Sequence, residues 1–464
     1  MTEVAESSPA YLVGHLAPVA EETEVLDLPV TGALPQELVG RYLRNGPNPL
    51  PGDSPRHWFT GHGMVHGIRI RNGRAEWYRN RWVRTNLLEG RFDVDDTARD
   101  RSVTPANTHI IEHSGRLLAL CEGGLPYELN ADLGTEGPRA FGGRLTNGMT
   151  AHPKEDPVTG ELHFFGYGAR PPYLTHHRLS PAGELVHSQV VDVPGATMMH
   201  DFAVTENYVI WLDLPVTFDL DLAGRAIPYR WNDDYGARMG VMAHDGEPAV
   251  RWFDIDPCYV FHVGNAREDA AGRVVLDAVR WDRDTFRAGW SRLGGDGHTQ
   301  RAGGLVDEFA GAGRSTLHRW IFDLAAGSVH EQEIDDRGVE FPTLNEKHVG
   351  RDNRYLYTVA EQVDNSKADA AIVKYDTITG VGEVHALGAD RTAGEAVFVP
   401  AADARNEDDG WLLSIVSDRT GKSSDLVVLD ATDVTAAPVA TVHLPRRVPT
   451  GFHGSWIPDA ELDA

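Results

Sequence analysis

The sequence predicts an all-β protein on three observations. Short runs rich in Val, Ile, Leu and aromatic residues recur along the 464-residue chain, each bounded by turn chemistry. Glycine, at 48 residues, and proline, at 27, punctuate it throughout. Sustained helical periodicity is almost absent. Taken in order, Met64–Ile70 and Ala75–Thr85 flank Arg71-Asn72-Gly73-Arg74, where Asn-Gly supplies the positive φ of a tight hairpin. Thr108–Glu112 and Arg116–Glu122 flank a second turn at His113-Ser114-Gly115. Further strands are expected at Glu161–Gly166, Tyr208–Leu212, Arg273–Trp281, Leu317–Asp323, Tyr355–Ala360, Trp411–Ser417 and Leu426–Asp430.

Three of these hairpins repeat one pattern. Trp320-Ile-Phe-Asp323 leads to Gly327-Ser-Val-His330, and Val373-Lys-Tyr-Asp376 leads to Gly380 and Glu383-Val-His385. Val427-Val-Leu-Asp430 leads, through a longer loop, to Ala440-Thr-Val-His443. A strand–Asp–turn–strand unit is also a generic hairpin, but these three aspartates are spaced by 53 and 54 residues. That near-constant interval suits the outer hairpin of a propeller blade. The closing histidines are expected at edges or on the surface. No linker divides the chain, so residues 1–464 form one domain, with about the first 25 as an N-terminal extension. The glycine-rich stretch Gly294–Gly313 reads as a loop.

Composition limits the partners. A net charge of −26 repels phosphate backbones and disfavours nucleic acid. Two cysteines, Cys121 and Cys258, make no disulfide framework and fit a reducing compartment, so the cytoplasm is expected. No targeting signal and no run of 18 apolar residues is present, so nothing is expected to span a bilayer. Several chemistries are also excluded. No serine sits in G-x-S-x-G, and His330-Glu331 does not continue to a second zinc-protease histidine. Gly311-Ala-Gly313-Arg-Ser-Thr lacks the lysine and spacing of a phosphate loop, and no strand leads into G-x-G-x-x-G. Redox chemistry here would rest on a metal.

The chain has 21 histidines. The local cluster His57, His62 and His66 lies on a strand–turn–strand segment whose side chains need not converge, and it reads as turn, surface and core histidines. Four others sit among aromatic, small or apolar neighbours: His152 in Met-Thr-Ala-His-Pro, His200 in Met-Met-His-Asp-Phe, His262 in Tyr-Val-Phe-His-Val-Gly-Asn, and His453 in Gly-Phe-His-Gly-Ser-Trp. Unpaired imidazoles would be costly in such places. Singly, each is more often a hydrogen-bonded core residue than a ligand. Their intervals of 48, 62 and 191 residues form no local motif.

Together with other segments, however, they resemble the carotenoid cleavage oxygenase family along nearly the whole chain. The likeness starts at Gly40-Arg-Tyr-Leu-Arg-Asn-Gly-Pro-Asn-Pro49 and passes through Trp58-Phe-Thr-Gly61 and Gly63-Met-Val-His66. It continues through the four histidine segments, Glu340-Phe-Pro342 and Gly394-Glu-Ala-Val-Phe-Val-Pro400, and ends at Gly451-Phe-His-Gly-Ser-Trp456. The resemblance implies a seven-bladed β-propeller with loops and short helices forming a cap over a metal centre. It implies one Fe(II) on the axis, held by His152, His200, His262 and His453, which are then also the catalytic residues. It further implies that Glu122, Glu340 and Glu395 orient ligand histidines, and that Thr108 crowds an open iron position. Imidazole suits Fe(II), and four neutral ligands leave its charge intact and positions open for O2. His62, Arg267 and Thr343-Leu-Asn345 depart from the family pattern without touching these positions.

The reaction so implied is O2-dependent cleavage of a conjugated C=C bond to two carbonyl fragments, with no protein acid or base required. The lignostilbene-cleaving branch grips a phenol with a lysine and a tyrosine; the matching places here hold Cys121 and Trp82. An apolar polyene, a carotenoid or apocarotenoid, is therefore the expected substrate, and a stilbene is the alternative. The isomerase branch is a third option, and a non-enzymatic propeller scaffold is a fourth reading that four intact histidines argue against. Membrane contact is expected to be at most weak and peripheral. The stretch Val209–Asp221 mixes apolar residues with acids, and the acidic charge disfavours anionic lipid.

Overall fold

Asn72 and Gly73 take φ values of 54° and 67° in the computed structural model, and Ser114 and Gly115 take 56° and 75°. Both predicted hairpins thus close through paired left-handed residues, whose twist matches that of the flanking strands. The structure describes residues 9–93, 99–245, 249–295, 314–360 and 370–462. The glycine-rich stretch lies outside the described residues from 296 to 313, as do Gly311–Gly313 of the phosphate-loop-like fragment.

Antiparallel pairing carries on from hairpin to hairpin into seven sheets, the blades of a β-propeller. Blade 1 runs outward from Gly454–Pro458 through Gly40–Pro47, Gly63–Arg71 and Arg74–Trp82 to Thr23–Leu26. Blade 2 begins at His109–His113, blade 3 at Lys154–Glu155, blade 4 at Ala203–Val204, blade 5 at Val263–Glu268 and blade 6 at Glu340–Thr343. In blade 7, Arg391–Ala393 and Val397–Pro400 both pair with Gly410–Asp418, followed by Ser424–Asp430, Ala440–His443 and the outer edge Val30–Gly32. The C-terminal strand closes the ring by pairing with an N-terminal one, Arg44 lying opposite Gly454.

The repeated aspartates have one local role. Asp323 accepts from the Ala326 N–H, Asp376 from those of Ile378 and Thr379, and Asp430 from that of Thr432. Each caps the turn that leads from the third strand of its blade to the fourth, the Asx turn that favours aspartate there. The following histidines are exposed at 330 and 443 and half-buried at 385.

Blades adhere through interleaved aromatic rings. Phe165 of blade 3 meets Phe202, which stacks on Trp211 of blade 4 at an interplanar angle of 13°. Phe253 meets Phe322 between blades 4 and 5, and Tyr357 stacks on Phe398 between blades 6 and 7. Such pairs add about 0.5–1.5 kcal/mol each beyond the area they bury. Most of the stretch at Val209–Asp221 is used in this way: Val209, Ile210 and Trp211 are fully buried, and Leu220 alone of its large apolar residues is strongly exposed. Among the described residues no helix is long and apolar enough to cross a membrane.

Helix Arg283–Arg292 is the main departure from the all-β reading. Asp282 caps it by accepting from the Thr285 N–H, and Phe286 and Trp290 turn inward. It follows the second strand of blade 5. The ribbon Val216–Phe218 with Tyr229–Trp231 follows the second strand of blade 4. Because strands alternate in direction, both insertions lie at the end of the propeller where the innermost strands begin.

Ring closure depends on a buried ion triad. Asp459, just past the last strand, accepts from Arg41 at 2.8 Å and Arg69 at 2.6 Å, on the second and third strands of blade 1. Arg41 is only 4% exposed. Asp459→Ala leaves that guanidinium buried without its carboxylate, with the Ala131 carbonyl at 3.1 Å still accepting from it, and is expected to cost about 3 kcal/mol, read as a lower denaturant midpoint. Burial would raise the Asp459 carboxyl, but the two arginines hold it below its ordinary range. Its contribution is therefore present above the unfolded carboxylate pKa and lost as pH falls through the lower, folded value.

Candidate metal centre

The innermost strands start at one end of the axis, so residues one to three positions ahead of each gather around a shared space. His453, Thr108, His152, His200 and His262 hold those places in blades 1 to 5, Glu340 begins the inner strand of blade 6, and Glu395 lies between the two inner segments of blade 7. Residues far apart in sequence become neighbours through this topology alone. Ring nitrogens of His152, His262 and His453 lie within 4.8 Å of one another. His200 joins them, with its Nε2 at 3.0 Å from His152 Nε2. His152, His200 and His453 are 4–7% exposed.

Asp201 fastens this arrangement from behind. It accepts from the backbone N–H groups of Phe202 and Val263, each at 2.8 Å, and pairs with Lys154 Nζ at 2.8 Å. One side chain thereby ties together the starts of blades 3, 4 and 5. Thr108 contributes its carbonyl to the His453 N–H at 3.2 Å, and its hydroxyl donates to Asn107 Oδ1 at 3.0 Å.

Three imidazoles are oriented by carboxylates. His262 Nδ1 meets Glu340 at 2.5 Å, His453 Nδ1 meets Glu395 at 3.0 Å, and His200 Nδ1 meets Glu122. The carboxylates are held in turn. Glu340 also accepts from Trp281 Nε1 at 2.5 Å and from the Phe341 N–H, Glu395 from the Gly454 N–H, and Glu122 from the Tyr167 hydroxyl. Phe341 sits at φ 53°, a strained value for a non-glycine residue, and this lays its ring on His262 with centroids 4.9 Å apart.

Charge follows from this geometry. Burial, reinforced by the other three histidines, pushes His152 well below its ordinary value, and burial outweighs Glu340 at His262, so both rings stay neutral. At His200 burial is overcome by the Glu122 carboxylate, which raises the ring. Glu340 and Glu395 resist the desolvation that would raise them, because His262 and His453 respectively hold them down. With Nδ1 donating to carboxylates, the Nε2 lone pairs of His200, His262 and His453 are left bare at the centre, where His152 and His200 bring two Nε2 atoms to 3.0 Å. A cation satisfies that convergence. An all-imidazole donor set fits a divalent first-row metal.

The seven residues singled out in the sequence thus meet around one point. His57, His62 and His66 do not join them: His57 accepts from the Phe59 N–H, and His66 bonds the Tyr78 hydroxyl. Asp201, Tyr167 and Trp281 went unnoticed. Tyr167 and Trp281 sit at the ends of second strands, and only strand alternation, not their local sequence, places them beside the inner-strand starts.

Fold and site define the class, an all-β propeller enzyme with histidines converging on its axis. The family model for the retinal pigment epithelial membrane protein, RPE65, matches residues 16–458. The chain is 40% identical to a carotenoid cleavage oxygenase of Mycobacterium tuberculosis, with 98% of this chain and 99% of the relative covered. It is 33% identical to a carotenoid 9,10(9',10')-cleavage dioxygenase of Crocus sativus, covering 97% and 90%. The crystal structure of Pseudomonas brassicacearum lignostilbene dioxygenase superposes with a TM-score of 0.84 at 29% identity, covering 97% of this chain and 99% of that one. The chain belongs to the RPE65/carotenoid oxygenase family and is an oxygenase of the dioxygenase type.

Proposed function

We propose that the protein is an Fe(II)-dependent dioxygenase that cleaves one conjugated C=C bond of a carotenoid or apocarotenoid, with His152, His200, His262 and His453 as the metal ligands. The observation that carries this reading is the convergence of four buried imidazoles, three of them backed by carboxylates. Bound there, Fe(II) supplies the activation of O2 that a spin-paired alkene cannot provide for itself.

The chain's own residues orient, exclude water and keep protons away. Glu122, Glu340 and Glu395 hold each Nδ1 proton in place, which fixes the tautomer and keeps Nε2 a donor to metal. Aromatic rings wall the histidines: Phe261, stacked on Phe286 of the helix, lies 5.2 Å from His200, and Phe341 lies 5.6 Å from His453. Such walls suit a flat, apolar polyene and favour its desolvation by roughly 25 cal/mol per Å² buried. The overall balance is one O2 added across one double bond, giving two carbonyl groups with no proton gained or lost.

Residues at the phenol-binding places support a hydrocarbon. Trp82 spends its indole N–H on the Asn48 carbonyl at 3.0 Å. Burial raises the Cys121 thiol, which therefore offers no charged partner to a phenolate. The likeness to the lignostilbene enzyme favours a stilbene as the second reading. A panel of a C40 carotenoid, an apocarotenal and a hydroxystilbene, analysed for carbonyl products, separates the two. Aldehydes or ketones from the polyenes are expected, at rates at least about tenfold above the stilbene. Preferred release of benzaldehydes would overturn the polyene reading.

A further inference from the structure

The four histidines have two unlike approaches. On the helix side stands Phe261, stacked on Phe286 of the helix and 5.2 Å from His200. On the opposite side a cavity of about 510 Å³ follows the propeller axis, and its inner end touches His152, His262 and His453. Its walls are the innermost strands beyond the histidines, and they mix polar and charged side chains with apolar ones. Lys154 lines it, but its ammonium is neutralised by Asp201 at 2.8 Å. Towards the outer end four carboxylates gather from four elements: Glu112, Glu155, Glu346 and Glu461. Lys347 is the other basic side chain in this lining. Glu155, Glu346 and Glu461 are exposed and Glu112 is half-buried, whereas the histidines at the inner end are nearly inaccessible, so the cavity runs from solvent to the site.

We propose that this axial channel is the route by which a divalent metal ion reaches the histidines, with Glu112, Glu155, Glu346 and Glu461 drawing the hydrated cation to its mouth. The inference rests on reading the histidines as metal ligands. Its physical ground is the contrast between the two approaches. A hydrated dication pressed against Phe261 and Phe286 loses water with nothing to replace it, a loss of several kcal/mol per ion in real proteins. Along the channel, carboxylate oxygens replace the departing waters, and an acid-lined mouth focuses the field and raises the local cation concentration. The carboxylates do crowd one another. Burial together with Glu112, Glu346 and Glu155 pushes Glu461 up to about 7, and burial with Glu155 and Glu395 raises Glu346. A cation relieves that repulsion in passing. The substrate and the metal would then use opposite ends of one axis, so a lipophilic chamber need never admit an aqueous ion.

Association of Co(II) with metal-free full-length protein, followed by stopped-flow absorbance, tests the route. Glu346→Gln with Glu461→Gln is nearly isosteric and keeps the fold. Glu346→Lys with Glu461→Lys reverses the local charge. Asp132→Lys with Asp352→Lys makes the same change in net charge at side chains 82% and 88% exposed, away from the channel lining. The glutamine pair is expected to slow association several-fold and the lysine pair by about tenfold or more at low ionic strength, with both differences shrinking in high salt. Bound metal at equilibrium stays at one per chain in each. Equal rates in wild type and both channel variants, or equal slowing by the control pair, would overturn the route. Wild-type protein that binds no Co(II) would instead overturn the ligand reading on which it rests.

Discussion

Replacing His200 with alanine is expected to remove bound metal and turnover together. His200 Nε2 lies 3.0 Å from His152 Nε2, and its other nitrogen meets Glu122. Its loss therefore removes one of four donors and leaves Glu122 as a half-buried carboxylate that keeps the Tyr167 hydroxyl as a partner. Outer partners of metal ligands alone are worth about 10–100-fold in affinity or activity, so loss of a ligand is expected to exceed about 100-fold. Metal content by elemental analysis and O2 uptake should fall in parallel while circular dichroism keeps the β signature. Full activity in this variant would remove His200 from the site.

Glu395→Gln should produce the next largest effect. One Glu395 oxygen accepts from His453 Nδ1 at 3.0 Å and the other from the Gly454 N–H at 2.8 Å. A glutamine has a single acceptor oxygen, so either orientation turns its NH2 group towards a donor. If the oxygen stays on Gly454, His453 loses the partner that fixes its tautomer. If it stays on His453, the first N–H of the closing strand is stranded, a loss of about 1–3 kcal/mol. Metal affinity or turnover is expected to fall about 10–100-fold. A competition titration against a calibrated chelator reads the affinity, and an unchanged value would mean that Glu395 does not orient His453.

Local features of the fold were legible because they act locally. Asn72-Gly73 closes its hairpin by φ, and Asp323, Asp376 and Asp430 cap their turns within a few residues, so composition and spacing expose both. Long-range pairings left no such trace. The closure of Gly454–Pro458 on Gly40–Pro47 and the added edge Val30–Gly32 on Ala440–His443 join strands from opposite ends of the chain, and the edge Thr23–Leu26 reaches past a whole hairpin to Arg74–Trp82. Nothing in their own residues names the partner. The site was legible in a different way. Intervals of 48, 62 and 191 residues between the histidines are blade lengths plus insertions, which carry no ligand pattern. Only the family likeness made those four stand out from the other histidines. Tyr167 and Trp281 stayed hidden because their roles follow from strand direction: a second strand must end where the first begins; Asp201 stayed hidden because its partners Lys154 and Val263 lie in the neighbouring blades.

The most direct test measures O2 consumed per polyene lost, on protein of known iron content. One O2 per cleaved double bond, two carbonyl products and a rate proportional to iron occupancy are expected. Turnover in iron-free protein, or a product with its carbon skeleton intact and no O2 consumed, would contradict the assignment of a metal-dependent cleaving dioxygenase.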